Sequence, residues 1–520
     1  MSTGPQQVDV CILGAGMAGL TLANQLRQRR ADLDIAVLEH RRFPVPEATH
    51  KVGESTVEIA AHYLSESLGL GEHLRRDHLP KFGLRLFIAG EQPIDQDLAR
   101  YDEIGVSKVL PIPTFQLDRG RLENHLADRA KQMGIRILDG TTVQSVNPQA
   151  GAHQVKLKDS THDTIQARYL IDSSGRRGWL RGQQNLSRPV RHGNHAVWYR
   201  IDGDLPLDEW SQDRTWQQRC HGSPRRFSTN HFSGPGYWVW LIPLASGTTS
   251  VGLVFDPQYV ALDAVNKHER LLAWLADEQP LLAQVLGDRA PLDFHVLKNY
   301  AVGCQQNFSA DGWMLTGDAG MFSDPFYSPG ADFIAFANGF ITELIAGDQQ
   351  PQTHRLYQGY LQAFFSNTLS LYRGQYGGFG DRDMMVLKTI WDYAYYWGPL
   401  AKLYFSGRFT DVDFMQAAQP DLVKGATLNT GMQKRFRQMA QAGRRKGGQG
   451  RFFDHHHIPM FHRIKAELEQ GDHPGVAAQL SNSINDLQGL SESLQQCMYE
   501  LETGAELPDL DMLGQRAAFA

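Results

Sequence analysis

The chain opens on a short apolar run, Val8-Asp-Val-Cys-Ile-Leu13, whose β-branched residues predict a buried strand. A glycine turn follows at once, and residues 20–26 then place apolar side chains at helical spacing. A second apolar run at 34–39 completes a β-α-β unit. Parallel strands joined by a helix need both faces covered, so this opening predicts an α/β domain. Residues 155–158 and 169–172 read as later strands of it. Between 188 and 302 the pattern becomes alternating or aromatic-rich runs (195–201, 237–241 and 249–255) separated by Gly, Pro and Ser, which predicts a largely antiparallel sheet. One helical stretch, 266–285, interrupts it. After Gly317-Asp-Ala319 helical periodicity returns and runs through 350–520, with Gly443-Arg-Arg-Lys-Gly-Gly-Gln-Gly450 as a loop or linker inside it.

Composition narrows the class. The 520 residues carry 51 Lys+Arg against 57 Asp+Glu, a formal charge of −6. That balance is too small for a basic nucleic-acid binder or an acidic disordered tail. Cys11, Cys220, Cys304 and Cys497 lie far apart, which argues against a thiolate zinc site and a disulfide scaffold and fits a reducing compartment. Met1-Ser-Thr-Gly-Pro lacks the basic start and apolar core of a signal peptide. The most apolar long stretch, 387–405, is interrupted by Lys388, Asp392 and Lys402, and a spanning helix needs roughly 20 uncharged residues. The expectation is a cytoplasmic protein with no integral membrane segment and no nucleic-acid partner.

Candidate chemistry begins at Gly14-Ala-Gly16-Met17-Ala18-Gly19, a complete G-x-G-x-x-G between a strand and a helix. The first glycine permits the tight turn, the second lets a pyrophosphate approach the backbone, and the third lets helix pack on strand. The free N–H groups of the helix start then face the phosphates. Glu39 ends the second strand where an acid can hold a ribose hydroxyl pair. Two later segments favour FAD over NAD: Gln116-Leu-Asp-Arg119-Gly-Arg-Leu-Glu-Asn-His-Leu126, and Gly317-Asp318-Ala319 after the apolar Trp313-Met-Leu-Thr316. An Asp at the end of such a strand suits a ribityl hydroxyl. Both segments, with Tyr169-Leu-Ile-Asp172-Ser-Ser-Gly175, resemble the aromatic-hydroxylase class of flavoproteins.

Three further segments sharpen the resemblance: His50-Lys-Val-Gly53-Glu-Ser55-Thr56, Trp238-Val-Trp240-Leu-Ile-Pro243 (W-x-W-x-I-P), and Asp324-Pro-Phe-Tyr-Ser-Pro-Gly330. With the glycine motif they resemble the flavin-dependent halogenases from about residue 8 to 345, close to the phenol and pyrrole branch. By themselves, two tryptophans two apart on a strand read as one face of a core.

The resemblance implies an α/β protein: a Rossmann-like FAD-binding domain (1–187, with an inserted substrate-side segment near 79–112) interleaved with a mainly antiparallel β-sheet substrate domain (188–302). The chain would return to the FAD-binding domain at 303–349 and end in the C-terminal helical region (350–520). It also implies chemistry. FADH2 from a separate flavin reductase, with O2 and chloride or bromide, forms HOX, which is relayed to a lysine for electrophilic halogenation. The substrate would be an electron-rich aromatic or polyketide-derived compound, free or bound to a carrier protein.

In this reading Lys81, 27 residues after Glu54 and just before an alternating strand, is the catalytic lysine, with Lys51 and Arg85 as rivals. Trp238 and Trp240 shield the flavin. Gly14, Gly16, Met17, Ala18, Gly19, Glu39, Gly53, Ser55, Arg119, Asp318 and Ala331 bind the cofactor, and Ser328 and Gly330 bind halide. Tyr327 stands where tryptophan halogenases carry a glutamate, which speaks against free tryptophan as substrate. Pro329 has no N–H to offer a halide. The alternative is an FAD-dependent hydroxylase or other oxidoreductase of the same fold. Asp454-His-His-His457 with His462 reads as an exposed loop cluster, with no metal expected, and Trp391–Trp397 as packing aromatics.

Overall fold

The structure, a computed structural model, describes residues 5–47, 53–109, 111–158, 164–220, 222–347 and 351–508. The chain divides into two units, each assembled from three stretches. Met1–His78, Leu117–Arg191 and Ala301–Thr368 form the first; Leu79–Gln116, His192–Tyr300 and Leu369–Ala520 form the second.

In the first unit the strand Gln6–Leu13 runs parallel between Ile35–Leu38 and Thr164–Asp172. Arg136–Leu138 extends the sheet beyond Ile35–Leu38. The long strand Thr164–Asp172 serves two partners on one edge. Its first half pairs antiparallel with His153–Lys158, and its last three residues pair parallel with Trp313–Leu315. The helices Met17–Arg29, Arg119–Gln132 and Gly330–Ala346 pack beside the parallel strands. Asn338 ties two of them together, its amide donating to Ala18 O (3.1 Å) and Thr21 Oγ1 (3.0 Å). All four residues of Ile35–Leu38 are buried, as a parallel sheet covered on both faces requires.

The second unit is built on an eight-stranded sheet in the order His295–Leu297, His195–Asp202, Thr248–Phe255, Tyr237–Pro243, Thr229–Gly234, Leu84–Ile88, Asp102–Gly105 and Phe452–Asp454. Its pairings are antiparallel except Thr229–Gly234 with Leu84–Ile88 and Asp102–Gly105 with Phe452–Asp454. One face carries Phe87, Phe232, Val239, Leu241 and Leu253 into a core closed by Leu271, Leu275, Leu282 and Leu286 of the helices His268–Glu278 and Pro280–Gly287.

Two expectations are revised here and a third is narrowed. The strand after Lys81 was expected to alternate, yet every residue of Leu84–Ile88 is buried. It is an interior strand covered on both faces, and Arg85 is admitted on the core face because Glu103 lies opposite. The C-terminal region contributes a strand, Phe452–Asp454, that no local periodicity announces. The stretch 443–450, expected as a loop or linker, is the loop, and it is pinned to the sheet: Gly448 N–H donates to Ile88 O (3.3 Å), Gly450 N–H to Arg100 O (3.2 Å), and Asp102 Oδ1 accepts from Gln449 N–H (3.2 Å) and Arg451 N–H (2.8 Å).

The histidine run is an exposed cluster only in part, since His457 and His462 are exposed but His455 is not. His455 is 3% exposed, its Nε2 lies 3.1 Å from Thr389 Oγ1, and among the described residues no His/Cys/Asp/Glu group is arranged to hold a metal. The charges inside 387–405 are absorbed by ion pairs, Lys388–Asp392 (2.9 Å, one turn apart) and Lys402–Glu467 (2.6 Å). Among the described residues no helix is long and apolar enough to cross a membrane.

Candidate active site

Two clusters of candidate residues emerge, one within each unit. In the first unit, Gly14 sits at φ +100°, and a Cβ there would lie 2.7 Å from Ser173 O. A Cβ on Gly19 would lie 2.1 Å from Gly14 O and 2.5 Å from Ser173 Oγ, so side chains are sterically barred at both positions. Gly16 caps the helix Met17–Arg29 without a side chain, and Leu20 N–H is the first to close a helical turn, onto Gly16 O (3.0 Å). The N–H groups of Met17, Ala18 and Gly19 therefore precede the helical ladder, as an anion site requires.

Glu39, nearly buried, accepts from Ala15 N–H (2.9 Å) through Oε2 and from Arg41 N–H (3.0 Å) and Nε (3.1 Å) through Oε1. Burial opposes its ionisation, but the N–H bonds and the Arg41 cation outweigh it and hold the carboxyl below its usual range. Arg41 continues to Glu123 Oε2 (3.4 Å), and Glu123 Oε1 accepts from Arg119 Nη2 (3.0 Å). Arg119 Nη1 reaches Gly53 O (3.4 Å), and Gly53 has φ +102°.

Glu39, Arg119 and Gly53 are thus joined in one ladder whose middle members, Arg41 and Glu123, sequence reasoning missed. Glu123 lies four residues after Arg119, a helical spacing that would have shown the pair. Arg41 carried no local signal. Ser55 is buried in the segment beside Gly53, and the preceding residues His50, Lys51 and Val52 lie outside the described residues.

Asp318 belongs to the turn Gly317–Ala319 after the strand Trp313–Leu315. A Cβ on Gly317 would lie 3.0 Å from Ala18 Cβ, so this turn abuts the start of the glycine-motif helix. Arg181 Nη1 fixes the turn by donating to Asp318 O and Ala319 O (2.7 Å each).

Ser328 adopts the left-handed conformation (φ +58°), its N–H donating to Pro325 O (2.9 Å). A non-glycine residue held there is strained, a feature that concentrates at functional sites. Pro329 caps the helix Gly330–Ala346, where no helical N–H is needed, and its carbonyl accepts from Phe333 N–H (3.1 Å). The N–H groups of Gly330, Ala331 and Asp332 precede that ladder, so the proline leaves a helix start at Gly330, one of the two candidate halide residues. The Asp332 carboxylate is buried and accepts from Ala60 N–H (2.9 Å).

In the second unit, Lys81 is 6% exposed and follows the short strand Leu79–Pro80, its N–H donating to Thr114 O (2.8 Å). It is not a solvated surface lysine. Gln116, paired with Leu79, docks this ribbon on the sheet by donating to Thr229 Oγ1 (3.0 Å). Thr229 and His231 lie two apart on one strand and so share a face, and His231 pairs directly with Trp240 on the next strand.

On that face the Trp238 and Trp240 rings lie 5.7 Å apart, and the His231 ring lies 4.5 Å from Trp238. Trp240 fills the space over Gly252, where a Cβ would come within 2.1 Å of its ring, and its Nε1–H donates to Ser250 Oγ (3.1 Å). His231 was missed, because a single histidine in Thr229-Asn-His-Phe carries no motif. Burial first, and the Lys81 charge second, hold its imidazole well below its usual pKa, so it is neutral beside the lysine.

Of the rivals to Lys81, Lys51 lies outside the described residues. Arg85 points to the opposite face, ion-paired with Glu103 and donating to Val106 O (2.7 Å).

Comparison with known proteins places this geometry. Residues 7–254 match the FAD binding domain family. The chain is 30% identical over 367 residues to the flavin-dependent halogenase chlA of Dictyostelium discoideum, covering 65% of this chain and about 60% of that protein's length. It is 26% identical over 393 residues to the 1H-pyrrole-2-carbonyl-(peptidyl-carrier protein) chlorinase of Pseudomonas fluorescens, covering 69% of this chain and 81% of that protein. Among solved structures, the halogenase PltM shares the fold with a TM-score of 0.66 at 15% identity, over 94% of this chain and 97% of PltM, so the likeness in fold extends further along the chain than the likeness in sequence. The chain therefore carries an FAD binding domain over residues 7–254 and is similar in sequence to flavin-dependent halogenases.

Proposed function

We propose that this protein is an FADH2-dependent halogenase that delivers an electrophilic halogen to an electron-rich aromatic or polyketide-derived substrate from Lys81. The observation that carries the reading is a lysine withdrawn from solvent whose charge acts on His231, on the strand paired with the one that bears Trp238 and Trp240. An ammonium in a dry, aromatic-lined setting holds a polar guest such as hypohalous acid more strongly than one in water, because a low local dielectric strengthens the interaction. The tryptophans line the same sheet face as His231 and restrict what reaches the amine.

The residues of the first unit fit the cofactor, since the tight turn that Gly14 and Gly19 permit leaves the N–H groups of Met17, Ala18 and Gly19 ahead of the helical ladder for a pyrophosphate. Gly14, Gly16, Met17, Ala18 and Gly19 would hold the pyrophosphate, Glu39 the ribose, Asp318 the ribityl chain, and Gly53, Ser55, Arg119 and Ala331 the remaining contacts. When bound and reduced, FAD supplies with O2 the oxidising equivalents that turn halide into hypohalous acid. Ser328 and the Gly330 N–H would hold chloride or bromide.

A separate flavin reductase would keep the cofactor reduced. The Pseudomonas relative is named for a carrier-bound pyrrole, which makes a carrier-tethered acyl aromatic one candidate substrate and a free phenol the other.

The test is turnover of the full-length protein with FAD, NADH, a flavin reductase, bromide and a panel of free and carrier-bound phenols and pyrroles. The expected product carries the bromine isotope doublet and requires the reductase. Halide-independent insertion of oxygen would make the protein a hydroxylase instead. Gly19→Val is expected to abolish FAD binding, measured by quenching of flavin fluorescence, because its Cβ would overlap Gly14 O. Unchanged affinity in that variant would remove the first unit from the cofactor site.

A further inference from the structure

The W-x-W strand is held from the C-terminal region. Tyr376 belongs to the short 3-10 turn Tyr376–Gly378, beyond the last segment of the first unit, and is 1% exposed. Its hydroxyl accepts the Trp238 Nε1–H (3.0 Å), and its carbonyl accepts Gly236 N–H (2.8 Å) just before the strand Tyr237–Pro243 begins. The same hydroxyl meets Tyr300 OH at 3.2 Å. An indole N–H is a donor only, so the Tyr376 oxygen accepts that bond, while either hydroxyl can donate in the Tyr376–Tyr300 pair. The ring stacks on Phe379 with centroids 4.6 Å apart. One residue thus grips the tryptophan strand by main chain and side chain, and every partner is buried.

We propose that Tyr376 is a positioning residue for halogenation, acting through Trp238. Its hydroxyl selects the indole orientation that faces His231 and the Lys81 end of the sheet, so the C-terminal region sets the substrate-side wall of the site. This rests on the halogenase reading for its catalytic consequence but not for its structural core. The physical basis is that a buried indole N–H deprived of its acceptor disfavours the orientation in which it was bonded. Trp238 would then sample other rotamers, and the wall beside the amine would lose its definition.

The test uses full-length Tyr376→Phe, Trp238→Phe and the double variant. Tyr376→Phe keeps the ring on Phe379 and removes only the oxygen. In protein labelled with 5-fluorotryptophan, the Trp238 resonance is the one lost in Trp238→Phe, and it is expected to shift or broaden in Tyr376→Phe while the others stay. In the bromination assay, brominated product per NADH consumed is expected to fall about fivefold, which corresponds to about 1 kcal/mol, one buried hydrogen bond. The double variant is expected to be no worse than Trp238→Phe, because residues that act as a unit are not additive.

An unmoved Trp238 resonance, or losses that multiply independently in the double variant, would overturn the proposal. If wild type brominates nothing, the functional reading fails while the fluorine signal still decides the anchor. Should Tyr376→Phe not fold, Tyr300→Phe, which removes the outer hydroxyl, is expected to give the same changes in smaller degree, and no change there would likewise overturn the proposal.

Discussion

Lys81→Ala is expected to abolish halogenation while leaving FAD affinity intact. A positioned proton-donating side chain typically contributes about 10²–10⁴-fold, and the loss should fall in that range or beyond it. Lys81 is nearly buried and its backbone is held by Thr114, so removing the amine takes away chemistry rather than a solvated charge. Lys81→Arg should not restore activity, since a planar guanidinium neither fits the space of a compact ammonium nor gives up its proton. Product would be quantified by mass spectrometry and FAD binding by fluorescence in the same preparations. Full bromination by Lys81→Ala would sink the assignment of the lysine. Lost FAD binding would mean that the substitution had damaged more than the amine.

The second large effect concerns stability. Glu103, wholly buried, is ion-paired with Arg85 and accepts from Arg225 Nε (2.9 Å) and Nη2 (3.3 Å). Arg225 is further tied to Asp208 (2.8 Å) and stacks on Trp216, with its guanidinium 3.6 Å from the ring centre. Glu103→Gln leaves two buried guanidinium groups short of charge, and removal of one partner from such a cluster typically costs about 3–5 kcal/mol. A marked fall in thermal midpoint is expected.

The pH dependence has a definite sign. Burial would raise the Glu103 carboxyl, but Arg85 and then Arg225 outweigh it and hold its pKa below the usual value. The stabilisation is therefore complete above the ordinary carboxylate pKa and is lost as pH falls through the lower folded value. The gap between wild type and Glu103→Gln should be widest near neutrality and narrow in acid. A gap independent of pH would show that the carboxylate charge is not what the network uses.

The parts of the site that were legible in the sequence are those whose chemistry is local. The glycines at 14, 16 and 19 act through backbone sterics within one turn, and the acid at 39 follows at the distance a β-α-β unit imposes. Lys81 and the tryptophan pair were singled out through the family resemblance, and the pairings of the sheet put His231 beside the tryptophans. The four-residue spacing of Arg119 and Glu123 was there to be read, whereas His231, Arg41 and Tyr376 were not legible. Each acquires its role from a partner far away in the chain, as Tyr376 does from Trp238, 138 positions earlier. The all-buried strand Leu84–Ile88 was misjudged for the same reason, because its pattern of side chains does not say how many of its faces are covered.

The amino-acid order by itself determined the strand–glycine–helix unit, the antiparallel character of the region after 188 and the helical C-terminus. These rest on short-range sterics and on the periods of 2 and 3.6 residues. Tertiary structure decided that Phe452–Asp454 closes the edge of the second sheet, that Glu103 gathers the arginines on one face, and that His231 and the tryptophans share the other, where the Lys81 charge reaches His231. Such arrangements depend on which distant strands pair and in which register, and a shift of one residue would send every side chain to the opposite face.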